Sequence, residues 1–537
     1  MGHPSYRLLH MLTLLSAIAL AASTILSEHV YRTKDQLVVR TTTGTYTGLI
    51  EPKYPKTRQF RSIAFAEPPV LSRRWLPPQK PPLSAKHHDS YNFPLSCPQF
   101  VSKIPSLNNQ YFAEGTLVNN GNQNDTSGLV GADTSEDCLY LAVWTPANAT
   151  FHSKLPVLFF MSGGGFTTGG IDIRYQIPTS WIEDSQSHIV VTINYRVNIF
   201  GFPNARGLTN QNLGILDQRA ALEWVRDNIA GFGGDPAKIT LWGQSAGSMS
   251  ADAHAHAFYD DPIAHAFFLQ SGTVFSGPAV DDMTQSNFSF VAKRFGCQFT
   301  DDSDGIAELD CMRKVPFKQI ENFVGQYADS GEQPPLDFIP VVDDSLIFSD
   351  YTARAHAGKV AHRPTILSNV ANEMSSLVPL PSDLTKGPDQ TLVFAYDLAE
   401  WICPTYNSTI ERTRLGIPVF RYQHAGTFPN LNPFKWLGAY HGSDVPMNFG
   451  TYGLLTSLAD ATEFETEVSR TMQNHILAFA KDPRHGPQKI GWKALITGNG
   501  SGGELIRFGA DGKVVQHVDS IEVDGACQGV GAYNAFP

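Results

Sequence analysis

Past its amino-terminal region, this 537-residue chain has no apolar run long enough to span a bilayer, so a protein anchored by internal membrane helices is excluded. Long runs of like charge are missing too. Lys and Arg number 40 against 51 Asp and Glu, and a formal charge of −11 leaves no basic face for nucleic acid. The chain lacks internal repeats and Pro- or Ser-rich linkers, which removes solenoids and strings of independent modules. No Gly-Lys-Ser/Thr follows the triplet Gly163-Gly164-Gly165, so a phosphate-binding loop is a poor reading. His254 and His256 lack the i, i+4 spacing and the glutamate of a zinc helix. Neither a metal nor a cofactor is expected.

What is present describes a well-cored globular protein, 42% hydrophobic and 17% charged. Arg7 precedes a mostly apolar run from Leu8 to Ala22, and small residues follow at Ala19, Ala21, Ala22 and Ser23. This reads as a secretory signal peptide over 1–22, cleaved near Ala21 to Ser23, with 23–537 as a single domain. Secretion gives the six cysteines a compartment in which disulfides form. Nearness in sequence favours Cys297 with Cys311. Asn124, Asn148, Asn287, Asn407 and Asn499 head Asn-x-Ser/Thr sequons and are expected at the surface. The polar stretch from Cys97 to Cys138 reads as a long surface excursion.

Leu155 to Phe160, His188 to Tyr195 and Lys238 to Gly243 are short, β-rich, nearly continuous apolar runs. Strands buried on both faces have this composition, which predicts a mainly parallel central sheet. Leu213, Leu216, Ala220, Trp224 and Ile229 mark one helix, stopped by Gly231, Gly233 and Gly234. Phe464, Val468, Met472, Ile476 and Phe479 mark a second, ending near Asp482 and Pro483. Strand, helix and strand in alternation place the fold in the α/β class, with helices flanking the sheet and long loop and helical insertions.

Gly243-Gln244-Ser245-Ala246-Gly247 is a G-x-S-x-G, weak alone but strong in its place. A buried strand precedes it, and a run of small residues able to start a helix follows. A serine at such a turn presents its hydroxyl above the sheet, as α/β-hydrolases do. Gly163 to Gly165, after an earlier strand, suits an oxyanion loop, with the amides of Gly164, Gly165 and Ala246 as donors. A base and an acid are then needed. Chain order after the serine allows His441 or His424 as base, and Glu373, Asp343 or Asp344 as acid.

These residues are recognisable together. The chain resembles the type-B carboxylesterase and cholinesterase family through Ala64 to Pro69, Ser135 to Leu141, Gly163 to Phe166 and Asn194-Tyr195-Arg196. Asp217 to Leu222, Phe232 to Pro236 and the serine turn extend the match over nearly the whole mature length. The resemblance implies an α/β-hydrolase fold with Ser245, Glu373 and His441 as catalytic triad. It also suggests disulfides Cys97–Cys138 and Cys297–Cys311, with Cys403–Cys527 found in only part of the family. The implied activity is secreted serine carboxylester hydrolysis through an acyl-enzyme, on a small uncharged ester. An acyltransferase with the same triad and a non-catalytic binding member are the alternatives. Cholinesterases have Glu where Gln244 stands, and a tryptophan in the segment that Cys97 and Cys138 would close. Their absence argues against choline esters. Ser162 replaces a frequent His or Tyr, and Phe166 and Tyr440 are expected as cavity walls. Secreted fungal-type carboxylesterases and lipases are the nearer subgroup.

Overall fold

The computed structural model describes residues 37–118, 128–276, 282, 284–300, 303–454, 458–495 and 503–537. The expected signal peptide over 1–22 and the sequons at Asn124 and Asn499 lie outside them.

Ten strands form one sheet: β1 (Thr57–Ala64), β2 (Tyr140–Pro146), β3 (Leu155–Met161), β4 (Ile189–Ile193), β5 (Gly234–Gln244), β6 (Ala266–Gln270), β7 (Thr365–Val370), β8 (Val419–His424), β9 (Glu504–Phe508) and β10 (Val515–Asp519). Their order is β10-β9-β8-β7-β6-β5-β3-β4-β2-β1. The seven from β9 to β4 run parallel, and β10, β2 and β1 add antiparallel edges. The continuous apolar runs have the predicted cause. Val157, Phe159 and Met161 of β3 enter the core on one face of the sheet, and Leu158 and Phe160 enter the core on the other.

Helix α1 (Leu213–Asn228) packs Ala221, Leu222 and Val225 into the first core, as α2 (Ala246–Ala257) does with Ala251 and Ala255. Helices α3 (Ser286–Arg294), α4 (Phe317–Ser330) and α5 (Cys403–Arg414) belong to the insertions. Helix α6 (Glu463–Lys481) covers the opposite face through Val468, Met472, Ile476 and Phe479. Thr462 caps α6, accepting from the Glu465 amide at 3.1 Å.

Two of the recognised motifs are structural. Arg196 forks onto Asp217 with Nη2 to Oδ1 at 2.7 Å, and Arg74 onto Glu136 with Nη2 to Oε2 at 2.7 Å. Both pairs are buried, and removing one partner would strand a charge. Disulfides join Cys97–Cys138, Cys297–Cys311 and Cys403–Cys527, as the resemblance suggested.

One surface expectation is corrected. Asn287 is buried on α3, and its amide nitrogen donates to the Asp337 carbonyl oxygen at 3.3 Å. Asn148 and Asn407 are exposed. Among its described residues the Cys97–Cys138 stretch exposes Ile104 and Leu129 but is anchored at Phe112, which is fully buried and stacks on Tyr440 with ring centroids 5.0 Å apart. Polar composition hid a few large apolar anchors.

Candidate active site

The parts of the site hang on the carboxyl ends of parallel strands, where such a sheet leaves a crevice. Gly163 to Gly165 follow β3, Ser245 follows β5, Glu373 follows β7, and His441 lies beyond β8.

Ser245 is held at φ 57 and ψ −125, backbone that an L side chain rarely adopts. Flanking glycines permit the turn. A Cβ on Gly243 would stand 2.0 Å from the Gly247 carbonyl oxygen, and one on Gly247 would stand 2.1 Å from that of Met161. The Ser245 amide donates to the Gln270 carbonyl oxygen at 2.9 Å, tying the turn to β6. Helix α2 begins at the next residue, so its amino-terminal dipole lies beside the serine.

Gly163, Gly164 and Gly165 line one cavity with Ser245 and His441, of about 320 Å³. Gly164 (φ +115) and Gly165 (φ +62) turn the loop, and the Thr167 and Thr168 amides close it onto the Gly164 carbonyl oxygen at 3.0 Å each. Among the described residues, the N–H groups of Gly164, Gly165 and Ala246 meet no acceptor.

His441 Nδ1 lies 2.6 Å from Glu373 Oε2. Glu373 is fully buried, and its Oε1 accepts the Val370 amide at 2.9 Å, so backbone aims the carboxylate. With the Nδ1 proton directed at Glu373, Nε2 carries a lone pair. The Gln244 side-chain amide donates to it at 3.1 Å. No Ser245–His441 hydrogen bond occurs among the described residues. A glutamate at 244, ionised, would have no proton to donate there.

A carboxylesterase family model matches residues 35–398. The chain belongs to the carboxylesterase family. It is 36% identical over 515 residues to a chlorogenic acid esterase of Aspergillus niger, covering 91% of this chain and 94% of that one. It is 34% identical over 507 residues to secreted lipase 5 of Gibberella zeae, covering 89% and 91%. An acetylcholinesterase of Bungarus fasciatus is 28% identical over 510 residues, covering 83% and 78%. The sheet with its flanking helices is thus an α/β-hydrolase fold, and the protein is a carboxylic ester hydrolase. No helix among the described residues is long and apolar enough to cross a membrane.

The rival candidates in this carboxylesterase have other tasks. Asp343 Oδ1 accepts the amides of Ser345, Leu346 and Ile347, and Asp344 Oδ1 accepts that of Ser349. Both shape their own loop. His424 is fully buried at the end of β8, its ring beside Phe428, and burial pushes it down to about 3. His254 and His256 are buried on α2, and burial lowers them to about 3 and about 4. All three are neutral near pH 7. Tyr440 lines the cavity of Ser245 as expected, whereas Phe166 lines a separate one of about 380 Å³ with Met249 and Val274.

Sequence reasoning missed the segment behind the acid. A π-helical turn, Asp397–Ile402, runs into α5. Its Asp397 Oδ1 accepts the Met374 amide at 2.6 Å, beside Glu373. Burial first, then the Glu373 charge, pushes the Asp397 carboxyl up to about 8. The Trp401 ring of the same turn lies 4.4 Å from the His441 ring. From the other side, the Tyr533 hydroxyl donates to the Ala371 carbonyl oxygen at 2.8 Å. A π turn is itself a pointer to a functional site, but no composition rule announces one.

Proposed function

We propose that this carboxylesterase is exported and cleaves small uncharged carboxylic esters in two acyl-transfer steps at Ser245. The single observation that carries the reading is the His441–Glu373 contact of 2.6 Å, set at the cavity that Ser245 and the glycine loop also line. As substrate enters, the Gln244 amide gives way. His441 Nε2 then takes the Ser245 proton while Oγ bonds the ester carbonyl carbon. The carbonyl oxygen becomes an oxyanion facing the amides of Gly164, Gly165 and Ala246. Collapse expels the alcohol, which takes the proton from His441. Water, deprotonated by the same histidine, frees the acid from the acyl-enzyme.

Support for an uncharged substrate comes from the cavity wall. Asn108, Thr116, Thr168 and Gln176 offer neutral hydrogen-bonding groups, and no Asp, Glu, Lys or Arg is among its described lining residues. Such a wall suits an ester with a hydroxylated part, in keeping with a relative named for chlorogenic acid. Export is supported by the apolar amino terminus and by relatives named as secreted.

The test is labelling with a fluorophosphonate, read by intact mass and by the modified peptide, followed by turnover of nitrophenyl esters of rising chain length. We expect one label per chain on Ser245, and turnover lost in Ser245→Ala by a factor on the order of 10⁴ or more. Labelling at another residue, or a Ser245→Ala variant that still turns over, would overturn the reading.

A further inference from the structure

His441 is held at three places. Glu373 takes its Nδ1 edge, Gln244 meets its Nε2 edge, and the Trp401 ring covers part of its face at 4.4 Å with an interplanar angle of 46°. Trp401 is 7% exposed and is not among the residues lining the cavity, so it meets the histidine from behind and touches no substrate there. The indole is itself pinned. Its Nε1–H donates to Met374 Sδ at 3.1 Å.

The charge on His441 changes during the reaction. When the Ser245 proton moves to Nε2 the ring becomes an imidazolium, and it is neutral again when the alcohol leaves. An aromatic face attracts a cation, most strongly when the face is indole and water is excluded. The ionisable groups near His441 are Glu373, bonded to it, and Asp444 on its own loop, which burial raises to about 6; Asp397, raised to about 8, stands behind Glu373. We propose that Trp401 is a positioning residue that holds the His441 ring toward Ser245 and stabilises the positive charge the ring carries in the transition state. The proposal rests on the reading of His441 as the base.

The purified full chain and its Trp401→Leu and Trp401→Phe variants would be compared by kcat and KM for an uncharged nitrophenyl ester between about pH 4 and pH 9. His441→Ala serves as a control, and circular dichroism checks the fold. Stabilisation of the imidazolium is worth roughly a factor of ten for a desolvated indole. The plateau of kcat/KM in Trp401→Leu should therefore fall about tenfold with KM within about twofold, and Trp401→Phe should fall by less. The acid limb should move about one pH unit lower. At acidic pH, free enzyme and transition state both carry the imidazolium, so the lost stabilisation cancels and the curves should meet.

That convergence separates charge stabilisation from packing. An equal fall at every pH, an acid limb displaced upward, or a raised KM with unchanged kcat would each overturn the proposal. Plateau turnover surviving in His441→Ala would instead overturn the assignment of the base. If Trp401→Leu does not fold, Trp401→Phe carries the same test with a smaller shift.

Discussion

The two halves of the site are built from different materials. The serine side is made of backbone: glycines at 163 to 165, 243 and 247 let main-chain groups approach within distances no Cβ would allow. The other side is made of side chains, Glu373, His441, Trp401 and Asp397, all largely buried. Backbone sites are specified by leaving atoms out, and they occupy consecutive residues. Side-chain sites are specified by what surrounds them, and the partners lie far apart in sequence. Damage should therefore differ in kind. A glycine replaced deforms the turn, whereas a carboxylate replaced leaves the turn intact and removes one charge.

The sharpest break is Glu373→Gln. The amide cannot stabilise the imidazolium and can present an N–H where an acceptor is needed, so kcat should fall on the order of 10⁴-fold with little change in melting temperature. Steady-state kinetics beside a thermal melt would check it, and a fall below tenfold would remove Glu373 from the triad. Next is Gly164→Ala. Its Cβ would stand 2.5 Å from the Thr168 carbonyl oxygen at φ +115, so the loop must shift and one oxyanion donor is displaced. A loss of about 3 kcal/mol, roughly a hundredfold in kcat, is expected. Activity within twofold of the parent would mean that the loop does not face the oxyanion.

The smallest effect is Asp397→Asn, which leaves Oδ1 to accept the Met374 amide. Because the folded carboxyl is raised to about 8, the folded chain binds a proton that the unfolded chain releases near pH 4. The parent's stability from this group is full below about pH 4 and is lost as pH rises through about 8. Thermal melts across that window should show a flatter profile for the variant, with its advantage greatest at the alkaline end. Parallel profiles would show that Asp397 is ionised in the fold throughout.

The same division of materials explains what could be read in advance. The parallel sheet, both long helices, the serine turn and the glycine loop were legible because each is written in neighbouring residues. The α/β class follows from strands such as β3, whose alternate residues feed two cores. Glu373 and His441 stand 68 residues apart, and spacing alone left Asp343, Asp344 and His424 open; only the family pattern separated them. Trp401 gave no signal, since its contact depends on a π turn that shifts the register of one helix. In the Cys97–Cys138 segment, average polarity concealed single anchors such as Phe112.

The route of the chain around the acid has a temporal meaning. Cys527, bonded to Cys403 beside the π turn, and Tyr533, bonded to Ala371 two residues before Glu373, are both translated long after Ser245. A growing chain acquires the Ser245 turn early, Glu373 and His441 later, and the braces behind them later still. The contacts that brace Glu373 from behind are therefore completed after the serine turn is made, and one of them forms only where Cys403 and Cys527 can be oxidised.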